Sequence, residues 1–324
     1  MILGRRFLFL PALILGLFVA GTLATRSPRA EDGKPPEPEM IGEGVISTPD
    51  DEFGGAFSAD GQTIYFDKTV APHYLYIICS SHFSASHWSR PEILSFSGVY
   101  RDSDPVLSPD GQTLFFASDR PFHGRPSKNF HVFAAKMTAK GWSDPEALEG
   151  PVNSEGSQDF ASIANNGNIY FTSDRQNERF DVYRSRLVGG KYLDAENLAI
   201  VNGEGISSLE ALVAPDESYL LIGSFGRPDG LGNSDLYISY NVNGAWTAPK
   251  NLGPVINTRA REYSPRVTPD GKWLIFTSER GITSEKRDAP FTYSELTEKA
   301  RGVLDGLGNI YRIPMDYVLR TTRP

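Results

Sequence analysis

Leu107 to Arg120 reads LSPDGQTLFFASDR, and Val267 to Arg280 reads VTPDGKWLIFTSER. Looser copies are FSADGQTIYFDK from Phe57 and IANNGNIYFTSDR from Ile163, while VAPDESYLLIGS from Val213 keeps the shape without the glycine. In each copy a short apolar stretch meets a turn. At Pro269-Asp270-Gly271 proline fixes one dihedral and glycine accepts a positive φ. The stretch after the turn is β-branched and aromatic, so the two halves form a hairpin.

A third strand follows each hairpin: YLYIICS at Tyr74, HVFAAKM at His131, DVYRSRL at Asp181, DLYISYN at Asp235 and NIYRIPM at Asn309. A fourth opens with an aromatic residue at Trp88, Trp142, Tyr192 and Trp246. The turn positions Gly61, Gly111, Gly167, Glu217 and Gly271 lie about fifty residues apart. Four antiparallel strands at that period indicate a β-propeller. Five hairpins but four in-line fourth strands leave one strand missing. GVISTPDDEFGGAFSADG (Gly44 to Gly61) aligns without a gap on PVINTRAREYSPRVTPDG (Pro254 to Gly271). Ile41 to Ser47 is therefore expected to be the tail of that fourth strand, closing the ring on the last blade. The fold expected is all-β: a five-bladed propeller closed by an N-terminal strand.

These motifs resemble the WD40-like (PD40) repeats of the TolB-type propellers. The pattern is Glu-x-x-Pro, then Ser/Thr-Pro-Asp-Gly, then an aromatic strand ending in Ser-Asp/Glu-Arg. Glu262 to Arg280 matches best and Asp102 to Arg120 next. The resemblance spans roughly residues 41 to 320. It implies the fold and an exported location. TolB itself has an α/β domain before a propeller that usually has six blades, where this chain has a linker and five repeats. Propellers of this kind look like scaffolds for protein or glycan contacts, although the fold also hosts hydrolases and lyases.

The remaining sequence agrees with export. Arg5-Arg6 precede the apolar FLFLPALILGLFVAGTLA, so residues 1–24 read as a signal peptide, with an uncleaved anchor as the alternative. Residues 25–39 (TRSPRAEDGKPPEPE) read as a flexible linker and 40–324 as the propeller. The expected location is periplasmic or secreted. A net charge of -8 disfavours nucleic acid as a partner. Membrane contact is expected only through an uncleaved N-terminal segment, and the protein is expected to be a monomer. Cys79 is the only cysteine, so no internal disulfide forms, and its apolar setting makes it a buried thiol.

Candidate chemistry gathers where the innermost strands begin. Glu52, Asp102, Gln158, Ser208 and Glu262 share one register, and Asp104, Asp159 and Glu210 follow within two positions. An acidic ring at the channel mouth would bind a cation, a sugar or a basic peptide. Glu52, Asp102, Glu210 and Glu262 would be the acids of a carbohydrate-active hydrolase or lyase. Arg120, Arg175 and Arg280 end the second strands; with Glu52, Asp102, Asp104, Gln158, Asp159, Glu210 and Glu262 they are the ten channel-mouth ligand candidates, and they are also expected to pair with acids on adjoining blades. Residues that recur in most blades serve the repeat better than catalysis, which needs asymmetry. The histidines His73, His82, His87, His123 and His131 lack metal-ligand spacing, and no phosphate-binding loop or nucleophile elbow occurs. No cofactor or metal is expected. An insertion runs from Gly281 to Gly308. Within it Tyr293, Leu296, Val303 and Leu304 recur at helical spacing, which predicts an amphipathic helix from Tyr293 to Leu304. That helix would be a lid on the rim or a partner-binding face. The function expected is a non-catalytic scaffold for an envelope protein or glycan.

Overall fold

Residues 34–70, 75–154, 156–176, 179–200, 203–281 and 289–323 are described in a computed structural model. The expected signal peptide (1–24), most of the linker, His73, Tyr74 and residues 282–288 of the insertion lie outside them.

Each repeat forms one antiparallel blade, and five blades form the ring. Their innermost strands are Glu52–Phe57, Asp102–Leu107, Gln158–Ile163, Ser207–Val213 and Glu262–Val267, and they number blades 1 to 5. The second strands are Thr63–Val70, Thr113–Ser118, Ile169–Ser173, Tyr219–Phe225 and Trp273–Ser278. The third are Leu75–Ser84, His131–Thr138, Asp181–Ser185, Asp235–Val242 and Asn309–Pro314. The fourth strand is split. In blade 1, His87–Trp88 and Glu92–Ile93 both pair with the third strand, with Ser89 to Pro91 between them. Proline has no N–H to give a ladder, so the strand breaks there.

A lone four-stranded sheet exposes two apolar faces, and stacking buries them. Tyr65, Ile78 and Leu94 of blade 1 pack on Leu114, Phe116 and Phe133 of blade 2. Equivalent clusters join blades 2 and 3, 3 and 4, and 4 and 5. The fourth-strand aromatics reach the preceding blade: Trp142 lies 5.8 Å from Tyr65 and Trp246 lies 6.1 Å from Tyr170, both edge to face.

The ring closes through the N-terminus, with a correction to its register. The closing strand is Glu39–Met40, paired with Arg312 and Tyr311. Ile41 N–H then donates to the Ile310 carbonyl at 2.8 Å, and Gly42 to Ser47 turns away instead of continuing the strand. Ile41 and Ile46 pack with Ile64, Phe66, Ile275 and Ile310, which seals blade 5 to blade 1. No edge is left at the junction.

Two helices complete the described chain. The first, α1, spans Tyr293–Lys299, not Tyr293 to Leu304. Thr292 and Glu295 form a capping box at its start, and Ala300 caps its end. It buries no residue, and Tyr293, Leu296 and Leu304 are all exposed, so it is not a lid packed on the rim. The second, α2, spans Met315–Thr322 and follows the last strand directly. Its Met315 and Val318 enter the blade 4–5 core, and Lys250 Nζ donates to the Thr321 and Thr322 carbonyls.

Candidate functional site

The residues that recur in register are structural. Glu52, Asp102, Gln158, Ser208 and Glu262 are all fully buried, and none lines the cavity at the mouth. Glu262 accepts from Thr258 N–H, Thr258 Oγ1 and Ser278 Oγ, each at 2.7 Å. Glu52 takes the same Thr48 contacts and a salt bridge to Lys68 at 2.7 Å. Gln158 replaces the acid in blade 3, holding Ser154 and His131. Each ties the loop entering a blade to that blade's first two strands.

The arginines complete this unit inside their own blades, not across to adjoining ones. Arg120 pairs with Asp102 and donates to the Phe96 carbonyl. Arg175 donates to the Pro151 carbonyl at 2.8 Å, and Arg280 to the Ile256 carbonyl at 2.7 Å. Arg227 does the same in blade 4, reaching the Ile200 carbonyl at 3.4 Å. All four stack on aromatic rings of their own blade, such as Arg175 on Phe171 at 4.8 Å and Arg227 on Tyr237 at 4.9 Å. One arginine thus closes the entry loop in each of blades 2 to 5; in blade 1 its position is held by Val70.

The asymmetric residues lie one and two positions further along. Here the innermost strands bulge: Phe53/Ala56, Ser103/Val106, Asp159/Ser162 and Tyr263/Arg266 flank the irregularities. Asp104 (φ 57), Phe160 (φ 45) and Ser264 (φ 47) adopt left-handed backbone there, a conformation non-glycine residues rarely hold. In blade 4 the bulge falls one position earlier, between Ser208 and Glu210. Bulges re-aim side chains, and these turn toward the channel.

Together they line a cavity of about 300 Å³. One wall is aromatic. Tyr263, Phe53, Tyr76 and Phe130 follow one another with centroids 5.9, 6.0 and 6.2 Å apart. Asp159, Leu209 and Glu210 come from blades 3 and 4, and Asp51, Ser103, Asp104, Arg261 and Ser264 complete the lining. Arg101 lies over the Phe130 ring at 4.7 Å and Arg261 over Tyr263 at 4.0 Å. Below, Arg266 crosses the channel. Its Nε donates to the Pro105 carbonyl at 3.2 Å, its Nη2 is 3.6 Å from Asp104 Oδ1, and its guanidinium sits 3.9 Å from the Phe160 ring. Arg266 also lines a second cavity, of about 350 Å³, at the Pro-Asp-Gly turns.

Two glycines make room for carboxyls. A Cβ on Gly223 would lie 2.0 Å from Glu210 Oε2, and one on Gly54 would lie 2.6 Å from Asp67 Oδ2. Asp67, fully buried on the second strand of blade 1, accepts from Asp104 N–H at 2.8 Å. Glu210 Oε2, Asp67 Oδ1 and Arg261 Nε have no hydrogen-bond partner. Burial pushes Glu210 up to about 8 against the pull of Arg261. Burial, then Asp104 and Asp174, push Asp159 up to about 8. Burial first, then the charge of Asp104, holds Asp67 well above the usual carboxylate range.

Of the ten channel-mouth candidates from the sequence, Asp104, Asp159 and Glu210 come together at the cavity. Glu52, Asp102, Gln158, Glu262, Arg120, Arg175 and Arg280 do not line it. Of the four acids assigned to the hydrolase alternative, only Glu210 reaches it. Sequence reasoning missed Asp67, Arg261, Arg266 and the aromatic wall. Arg266 carried a signal: Ala56, Val106, Ser162 and Leu212 hold its register in the other blades. Among the described residues no cluster of three or more His, Cys, Asp or Glu side chains could hold a metal. Cys79 is buried, and burial pushes its thiol up to about 11.

No protein-family model matches the chain. No curated protein matches it either. Solved structures do. A thermostable family-43 glycoside hydrolase is 11% identical, with a TM-score of 0.52 over 84% of this chain and 92% of that one. TolB from Acinetobacter baumannii is 15% identical, with a TM-score of 0.47 over 82% of this chain. This chain spans 54% of the length of that TolB. A gluconolactonase from Xanthomonas campestris is 10% identical, with a TM-score of 0.45, covering 87% of this chain and 95% of that one. Likenesses at such identities show the propeller fold alone.

Proposed function

We propose that this protein is an exported, non-catalytic propeller that binds a glycan at the mouth cavity. One observation carries the reading. Glu210 Oε2 and Arg261 Nε lack hydrogen-bond partners, and both residues line one cavity walled by four aromatic rings. Buried polar atoms find partners in most proteins, so two orphans on one cavity point to a ligand. A hydroxyl both donates and accepts, so a sugar satisfies the guanidinium and the carboxyl together. The ring faces offer the apolar surface on which a pyranose packs.

Export rests on Arg5, Arg6 and the apolar stretch after them. Among the described residues no helix is long and apolar enough to cross a membrane.

The test is an oligosaccharide array probed with the purified propeller, with product analysis of every bound sugar. Saturable binding without cleavage is expected. Cleavage would replace this reading with the hydrolase one. Absence of any bound sugar, with an envelope protein captured by crosslinking in intact cells, would replace it with a protein partner.

A further inference from the structure

The other end of the channel has a different chemistry. On the innermost strand of blade 5, Ser264 lines the mouth cavity and Thr268 lines the cavity of about 350 Å³ among the Pro-Asp-Gly turns. Val106, Ile163, Leu212, Val213 and Val267 give that second cavity apolar walls. Arg266 is the one charged residue in its lining. Its guanidinium is already held by the Pro105 and Pro265 carbonyls and lies 3.6 Å from Asp104. Such a space takes apolar groups.

A further cavity, of about 550 Å³, lies beside it at the junction of blades 5 and 1. Phe57, Ala59, Thr268 and Pro269 line both. Ala59 and Pro269 are exposed, so the two cavities open side by side as one groove. Departures from the repeat make the outer one. Tyr65, Phe115, Tyr170, Leu221 and Ile275 share one register on the second strands, opposite Ala56, Val106, Ser162, Leu212 and Arg266. At two junctions a tryptophan of the next blade meets the tyrosine edge to face: Trp142 on Tyr65 and Trp246 on Tyr170. At the junction of blades 5 and 1 that tyrosine is replaced by the smaller Ile275. Trp88 lies instead against Phe57 and Phe83 of its own blade, with centroids 6.1 and 5.0 Å away. Ile275 and Trp273 are left lining the space, and Arg312 lies over the Trp273 ring at 4.4 Å.

The acids on this face are exposed and ionised. Asp60, Asp110 and Asp216 stand at three turn tips, and among the described residues none of them has a cation at ion-pair distance. The Ser58 hydroxyl and the Gln62 N–H hold Asp60 below the usual carboxylate range, Ser108 and Gln112 do so for Asp110, and Ser218 does so for Asp216. Asp60 lines the outer cavity, and the chain neighbours of Asp110 and Asp216 line the inner one. The remaining charges are matched: Asp270 meets Lys272 at 3.0 Å, and Glu39 meets Arg312 at 2.7 Å. The unmatched charge around the groove is therefore negative.

We propose that this groove docks an extended segment of a partner protein in which apolar side chains stand next to lysine or arginine. One apolar side chain fills the channel cavity, a second enters beside Ile275 and Trp273, and the cations reach Asp60 and Asp110 at the turn tips. Charge complementarity selects this occupant. An anionic lipid surface or a nucleic acid would meet the same carboxylates and be repelled. The groove shares no lining residue with the mouth cavity, so this inference and the glycan reading stand or fall separately.

Panning a displayed library of random dodecapeptides against the full chain tests it, with the selected peptides remeasured by calorimetry. Enriched sequences should join apolar residues to lysine or arginine, and their affinity should fall as salt rises. Asp60→Asn and Asp110→Asn keep the turn hydrogen bonds, which fall on one carboxyl oxygen, and remove the charge. Each should weaken the selected peptide about two- to fivefold. Ala59→Trp, at an exposed position lining both cavities, should weaken it at least about tenfold. No enrichment, an enriched set without basic residues, or an affinity unmoved by all three variants would overturn the inference. A selected peptide that loses its affinity on Phe53→Ala and keeps it in these three would place the contact in the mouth cavity and overturn it too.

Discussion

Replacing Glu210 by Gln should stabilise the propeller, and by more as pH rises. The carboxyl sits at 4% exposure with Oε2 unpartnered, and burial moves it from an ordinary 4.5 to about 8. A carboxyl raised in the folded state favours folding most below its unfolded value. That advantage fades as pH climbs through about 8, because the unfolded chain ionises first. Each pH unit between the two values costs about 1.4 kcal/mol. Glu210 therefore costs about 1 kcal/mol at pH 5 and about 3 kcal/mol at pH 7. Glutamine copies the neutral acid in shape and stays neutral at every pH. Urea denaturation of both proteins at pH 5, 6, 7 and 8 reads the difference. At pH 7 the variant should gain about 3 kcal/mol, or about 5 °C in Tm if followed by heat. An advantage that stays constant with pH would refute the reasoning. So would a variant less stable at pH 7, the outcome if Glu210 were an ionised partner of Arg261.

Four further outcomes follow from the same contacts. Asp102→Ala strands the buried Arg120 guanidinium and should cost about 3–5 kcal/mol in denaturant titration, while sugar affinity at the mouth stays within about twofold. Gly223→Ala places a Cβ on the Glu210 carboxylate and should cost about 1–3 kcal/mol; most of that should return in the double variant with Glu210→Ala, as a double-mutant cycle would measure. Phe53→Ala removes the centre of the aromatic wall and should weaken sugar binding about tenfold, read by calorimetry at constant pH. Deleting residues before Gly42 removes Glu39–Met40 and Ile41 from blade 5 and should lower Tm and promote association, read by light scattering.

The repeat made the propeller legible because each blade solves the same problem with the same residues. Pro-Asp-Gly turns, fourth-strand tryptophans and Ser-Asp/Glu-Arg endings mark strand boundaries by local chemistry. The closing strand was legible from the alignment of Gly44 to Gly61, but its pairing residues were not. A fourth strand and the turn after it look alike when glycines and apolar residues alternate. The same repetition hid the site. Glu52, Asp102 and Glu262 stood out because they recur, yet recurrence marks the loop-closing unit. Asp104, Asp159 and Glu210 depart from their counterparts Gly54 and Ser264, or Phe53 and Leu209, and that departure was the usable signal. Asp67 and Gly223 could not be read as site residues, because strand pairing across the bulge decides which side chains meet. The α1 helix was overextended because Val303 and Leu304 keep helical spacing, although Gly302 interrupts them. The α2 helix was missed because Met315 to Thr322 follows a strand with no intervening turn signal.

The most direct measurement is a crystal structure of the propeller with the tightest-binding oligosaccharide from the array. The expected result is a sugar ring packed against Phe53 and Tyr76, with hydroxyls on Glu210 and Arg261. Sugar bound on the rim, at α1 or at the Pro-Asp-Gly mouth, with the Glu210 carboxyl untouched, would contradict it.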